Sequence, residues 1–228
     1  LMLLNYVPRY LGLASGLGAE VPADAAMVMV LGPQRPFLEE ELAALDRYLA
    51  RGGSLLFALD PGTEFRLGPL EKRLGVRYVP VPLADDQHHL RQQGQLSDRR
   101  LIVTNRFSSH EAVTTLARAG VTTGILLVGP GHLQAVDSAN APLFVVRSAP
   151  TTFEDRSGDF RLDEDTEERD TYNLVAAVEP GVPGVEDGAM APAQWDGVVG
   201  SDAGDGSAVS DQPMRVLIYA SSSVFTDA

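Results

Sequence analysis

The apolar positions of this chain fall into short blocks, and their spacing alternates between two kinds. Ala25 to Leu31 (AAMVMVL) is continuously apolar and closes on Gly32-Pro33, the pattern of a strand buried on both faces. Leu38, Leu42, Leu45 and Leu49 then recur at spacings of four, three and four, which lays one apolar stripe along a helix. Glu39, Glu40 and Glu41 sit in its first turn and Arg47 and Arg51 near its end, matching the helix dipole, and Gly52-Gly53 supplies a stop. Ser54 to Leu59 (SLLFAL) is a second apolar strand, ended by Asp60-Pro61-Gly62. Strand, helix and strand in this order predict a βαβ unit with a right-handed crossover.

Beyond that unit the pattern predicts a short helix over Leu67 to Leu74 stopped by Gly75, and a strand over Val76 to Val79. The polar, Gln- and His-rich stretch from Leu83 to Ser97 reads as a loop. Strands follow at Arg100 to Thr104 and Gly124 to Val128, with a helix between them at Glu111 to Ala119. His132 to Val136, Pro142 to Arg147, Tyr172 to Val178 and Met214 to Ala220 give the C-terminal half a β-rich character. Ser221 to Ser223 has the residue types that cap a helix. Together these elements predict one α/β domain over residues 1–228, three-layered around a mostly parallel sheet. Two insertions interrupt it. Residues 154–170 crowd nine carboxylates against three arginines and read as a solvated surface loop. Residues 180–213 are rich in Gly, Ala, Pro, Ser and Asp around Trp195 and read as mobile.

Composition narrows the chemistry. The chain has 228 residues, a formal charge of −13 and no cysteine, so disulfides, thiolate metal sites and cysteine nucleophiles are excluded. An acidic balance of this size argues against binding nucleic acid through its phosphates. The single lysine, Lys72, follows Glu71 rather than glycine, so no phosphate-binding Gly-x-x-x-x-Gly-Lys loop is present. No run approaches the roughly 18 apolar residues of a membrane-spanning helix. The greasy opening, Leu1 to Leu17, carries Asn5, Pro8 and Arg9 and reads as neither signal peptide nor anchor; the abrupt ends suggest a piece of something longer.

In an open parallel sheet, ligands gather outside the carboxyl ends of the strands. That rule points to Gln34, Asp60, Ser221 and Ser222 as candidate ligand contacts, with Asp60 the only charged group among them. A simple strand-ending turn at Asp60-Pro61 is the competing account. The run Asp85-Asp86-Gln87-His88-His89 lacks the spacing of a metal site, and the acidic insertion lacks the calcium-loop pattern, so neither a metal nor a cofactor is expected. Ser108-Ser109-His110-Glu111 has hydrolase residue types, but a helix start capped by Ser108 or Ser109 explains it better. A hydrolase using Ser109 or Ser222 is the least favoured reading, because no Gly-x-Ser-x-Gly elbow exists.

Several segments in order resemble the auxiliary, substrate-binding-like component of uncharacterised ABC transport systems, which includes gliding-motility-associated ABC transporter proteins. They are Glu20 to Ala25 leading into Gly32-Pro33, the helix Leu38 to Gly53, and the strand Leu55 to Pro61. Ser109 to Thr114 resembles the family's His-Pro-Ile-Thr turn. Arg147 to Pro150 with Thr152 to Asp155 resembles its Thr-Ser-Pro and Ser-Trp stretch, and Tyr172 to Glu179 its penultimate strand. The domain is also similar to the N-terminal domain of an intraflagellar transport protein. The resemblance implies a flavodoxin-like sheet of the class I glutamine amidotransferase type, in an extracytoplasmic (periplasmic) domain of a membrane-anchored protein. It implies ABC permease and ATPase subunits as partners and a non-catalytic accessory or ligand-recognition role. The alternative is a small-molecule or glycan-binding module using the crevice at the strand ends. One departure stands out: where the family's closing strand runs into Gly-Asp-Ser-Asp-Phe, this chain has Ala220-Ser221-Ser222-Ser223-Val224, with serine at both acidic positions.

Overall fold

The computed structural model describes residues 6–12, 20–120, 123–180 and 213–225. The predicted βαβ unit is present. Strand β1 (Val28–Leu31), helix α1 (Glu39–Ala50) and strand β2 (Ser54–Ala58) follow in sequence, and β1 pairs parallel with β2, Val28 opposite Leu55. The Glu41 carboxylate accepts the Leu38 backbone N–H at the start of α1, at 3.0 Å. At its end Tyr48 ties helix to strand: its hydroxyl accepts the Ser54 N–H at 3.1 Å and donates to the Ser54 carbonyl at 3.2 Å. The Tyr48 ring lies where any side chain at residue 53 would go, 2.4 Å from an ideal Cβ, so Gly53 is required by contact.

Helix α2 (Leu70–Leu74) ends on Gly75 and leads into β3 (Val76–Val79) and β4 (Leu83–Asp85). After a 3-10 helix at Leu96–Arg100 come β5 (Leu101–Thr104), β6 (Arg106–Phe107), α3 (Glu111–Arg118) and β7 (Ile125–Val128). The rest is β8 (His132–Ala135), β9 (Leu143–Arg147), β10 (Thr152–Glu154), β11 (Arg169–Asp170), β12 (Asn173–Val178) and β13 (Arg215–Tyr219), closed by a 3-10 turn at Ser223–Phe225.

The main sheet runs β1-β2-β13-β12-β8-β3, with β9 branching from β12 and β6 pairing with β9. Among the described strands of this sheet only β1, β2 and β13 run parallel as neighbours; β12, β8, β9, β3 and β6 pair antiparallel. The expected three-layer, mostly parallel flavodoxin-like or amidotransferase-like sheet is therefore corrected to a β-rich fold with a mixed, partly antiparallel sheet and few helices. The reason is physical. A continuous apolar run reports burial on both faces, not the direction of the neighbouring strand or the kind of layer that covers it.

Both faces are indeed buried. One core contains Leu45 and Leu49 of α1, Phe57, Leu70, Leu74, Val216 and Ile218. The other gathers Ile102 of β5, Leu127 of β7, Val113 of α3, Val145 and Leu174, with Leu217 and Tyr219 packed against it. Helices cover the first face, whereas the antiparallel pair β5–β7 and α3 cover the second.

The stretch read as a loop at Leu83 to Ser97 includes β4 and the start of the 3-10 helix Leu96–Arg100. It is shaped by one buried carboxylate, Asp98, whose Oδ2 accepts the backbone N–H groups of Gln92, Gln93 and Gly94 at 2.8–3.0 Å. The acidic insertion is also internally built. The Glu167 carboxylate is buried and accepts the N–H groups of Arg156 and Asp163, and buried Asp155 accepts those of Gly158 and Phe160. The segment read as mobile, 180–213 with Trp195, lies outside the described residues except at its two ends.

Gly75 gives a direct test of the turn after α2. Its φ is +69° and an ideal Cβ would lie 2.2 Å from the Asn140 carbonyl oxygen. Gly94 has a similar φ of +70° with open space around it. Urea denaturation should show Gly94→Ala losing about 1 kcal/mol, the left-handed penalty alone. Gly75→Ala should lose more than ~2 kcal/mol, because backbone clash adds to that penalty.

Candidate functional site

The parallel trio places its three carboxyl ends side by side. Gly32 follows β1, Asp60 follows β2, and Ser221 and Ser222 follow β13. Gly32 adopts a φ of +56°, and a Cβ there would stand 3.3 Å from both the Asp60 Oδ2 and the Ser222 Oγ. The absent side chain thus lets the first strand end approach the other two.

Asp60 and Ser222 form a clasp. The Ser222 N–H donates to Asp60 Oδ1 at 2.7 Å and the Ser222 hydroxyl to Oδ2 at 2.5 Å. Ser221 is fully buried; its Oγ lies 2.8 Å from Ser223 Oγ, which in turn accepts the Val128 N–H at 3.0 Å. Gln34 is exposed, and its amide folds back to donate to the Gly32 carbonyl at 2.9 Å. The structure thus gathers Gly32, Asp60 and Ser222, with Gln34 alongside, while Ser221 faces inward. Both Asp60 oxygens already serve the clasp, so a ligand would meet this carboxylate through its remaining lone pairs. Close by, the Tyr78 hydroxyl is buried without a hydrogen-bond partner among the described residues. Burial and then the negative charge of Asp60 hold its pKa well above the ordinary phenol value.

The remaining sequence candidates have structural work. Asp85 Oδ1 accepts the Gln87 and His88 N–H groups, and Oδ2 accepts the hydroxyls of Thr151 and Thr152. His88 Nδ1 lies 2.9 Å from Thr151 Oγ1, and Asp86 pairs with Arg169 at 2.6 Å. The start of α3 is capped by His110, whose Nδ1 accepts the Ala112 N–H at 3.1 Å, rather than by Ser108 or Ser109. Neither Ser109 nor Ser222 is hydrogen-bonded to a histidine among the described residues, so the hydrolase arrangement does not assemble there.

Two clefts were not visible in the sequence. One, of about 280 Å³, is polar and includes His132, Glu154, Arg156, Asp170 and Tyr172. His132 is buried, with Nε2 at 2.7 Å from Glu154 Oε1 and its ring edge-on to Tyr172 at 4.9 Å; Glu154 also pairs with Arg156. Burial lowers the His132 pKa against the opposing pull of Glu154. Burial, with Glu154 and Asp170, pushes Tyr172 up to about 12. The two halves of the His132–Glu154 pair stand 22 residues apart in the chain, and no local motif announces them.

The second cleft, of about 320 Å³, adjoins the strand ends and is bordered by Pro61, Gly62, Val128 and Phe160. Phe160 is the one non-glycine residue with a left-handed backbone among the described residues, at φ +62°. That conformation costs a bulky residue about 1–2 kcal/mol. It is held from both sides: Phe160 N–H donates to buried Asp155 at 3.2 Å and its carbonyl accepts from Arg99 at 2.8 Å.

Residues 13–96 match a protein family described as an ABC-type uncharacterized transport system. The matched stretch runs from before β1 to the start of the 3-10 helix at Leu96–Arg100, and so contains the whole βαβ unit. This supports the transport-system part of the resemblance read from the sequence. No curated protein matches the chain. Among solved structures, the chain is similar to one titled "mmIFT52 N-terminal domain", at 12% identity and a TM-score of 0.54, over 89% of this chain and 68% of that one. At that identity the likeness is one of fold.

Two measurements follow from this geometry. Asp60→Ala removes the acceptor of both the N–H and the hydroxyl of half-buried Ser222 and should lower stability by about 1–3 kcal/mol, where a free ligand-binding carboxylate would leave it unchanged. Ser222→Ala on top of it should add little, since the two residues share one interaction. For His132, the unfolded chain binds a proton at a higher pH than the folded one. Stability should therefore fall as pH drops below about 6.5 and level off below the lowered folded pKa. His132→Gln, which retains a donor for Glu154, should flatten that part of the urea midpoint-against-pH curve.

Proposed function

We propose that this chain is a non-catalytic accessory or ligand-recognition domain of an ABC-type transport assembly, displayed outside the cytoplasm by a membrane-anchored protein. The family match over residues 13–96 carries the reading, because it falls on the βαβ unit that builds the parallel edge of the sheet. The strand-end geometry is consistent with recognition rather than turnover. Asp60 and Ser222 are engaged with each other, and the hydroxyl of Ser222 bonds no histidine among the described residues. A rigid sheet with short loops at its strand ends holds a recognition surface without large rearrangement. The ATPase and permease of the assembly are the partners in this reading, and gliding motility is one process such an assembly could serve.

The test is purification of the full-length protein from gently solubilised membranes of its own cell. Recovery together with an ABC ATPase and a permease, and digestion of this domain by protease added to spheroplasts whose inner membrane is intact, are the expected results. Recovery with neither subunit, or protection of the domain in spheroplasts until the inner membrane is broken, would contradict the proposal.

A further inference from the structure

The cleft beside the strand ends combines three features that do not depend on the transport reading. Its walls are apolar, formed by Pro61, Pro82, Leu83, Val128 and Phe160. Arg100 is the only positively charged residue among those lining it; it is exposed and forms no ion pair among the described residues. The carboxylate at the border, Asp155, is buried and turned to the backbone N–H groups of Gly158 and Phe160, so it is committed to the loop. The charge left to a ligand is therefore that of Arg100.

Phe160 adds the second observation. Glycine would fit its φ of +62° without strain, yet phenylalanine stands there, and buried Asp155 together with Arg99 keeps the backbone in place. Strained residues held this firmly cluster at ligand clamps. The corners at Gly62 and Gly129, with φ of +78° and +50°, let the chain turn tightly at the border of the same cleft.

We propose that this cleft is a binding site for a small amphipathic anion, with its apolar body between Phe160 and the proline-lined wall and its oxyanion head on Arg100. The volume of about 320 Å³ suits a compact body such as one ring or a short branched chain. Two head groups share this chemistry, a carboxylate and a phosphate monoester, because a guanidinium pairs with either through two parallel hydrogen bonds.

The experiment follows backbone amide shifts of the isotope-labelled domain during titration with 3-phenylpropanoate, its primary amide and phenyl phosphate. The acid should bind at least about tenfold more tightly than the amide, with shifts centred on residues 60–62, 82–83, 128–129 and 158–160. Arg100→Gln should abolish that preference. Phe160→Gly should weaken the acid by about tenfold while leaving the melting temperature equal or higher, since the left-handed backbone no longer carries a side chain. Tighter binding of phenyl phosphate than of the acid would assign the head as phosphate, and the reverse would assign it as carboxylate. Equal binding of acid and amide, an unchanged preference in Arg100→Gln, or no shifts in this region with any of the three probes would overturn the proposal.

Discussion

The fold depends on where β13 sits. This strand, the last of the described strands, enters the sheet between β2 and β12, parallel to the first and antiparallel to the second. Its alternate side chains supply both interiors: Val216 and Ile218 join the core under α1, while Leu217 and Tyr219 turn to the core under β5, β7 and α3. Fully burying such a side chain is worth roughly 1.5–3 kcal/mol, so one five-residue strand links two hydrophobic cores. Without it the parallel unit and the antiparallel region would meet along no ladder.

The same placement creates the strand-end surface. Because β13 runs parallel to β2, its carboxyl end delivers Ser222 to Asp60 and Ser223 to the Val128 N–H. Had β13 run the other way, those serines would lie at the far end of the sheet. The clasp closes one side of the strand-end region, and the cleft bordered by Pro61, Val128 and Phe160 opens beside it. Topology, rather than any local motif, brings the loops after β2, β7 and β10 together there.

Much of this was legible in the sequence, for reasons that also mark its limit. The βαβ unit was readable because α1 carries a 3.6-residue stripe between two apolar runs, and glycines mark its turns. The strand-end residues Gln34, Asp60, Ser221 and Ser222 were singled out from the expectation of parallel strands, and the three strands they follow are parallel. The sheet as a whole was misread because β12 and β9 have the same continuous apolar character as a parallel strand while pairing antiparallel. Carboxylates were legible as charge but not as structure. Asp98, Asp155 and Glu167 spend that charge on backbone N–H groups, which composition cannot reveal. The His132–Glu154 pair and the left-handed Phe160 arise only when distant segments meet.

The position of β13 is open to direct measurement by long-range nuclear Overhauser effects in the labelled domain. The account predicts backbone contacts from Ile218 to Phe57 on one side and to Ala176 on the other, with Leu217 likewise between Leu56 and Ala177. Contacts from β13 to β12 alone, with none to β2, would leave a detached hairpin and contradict both the sheet and the surface built on it.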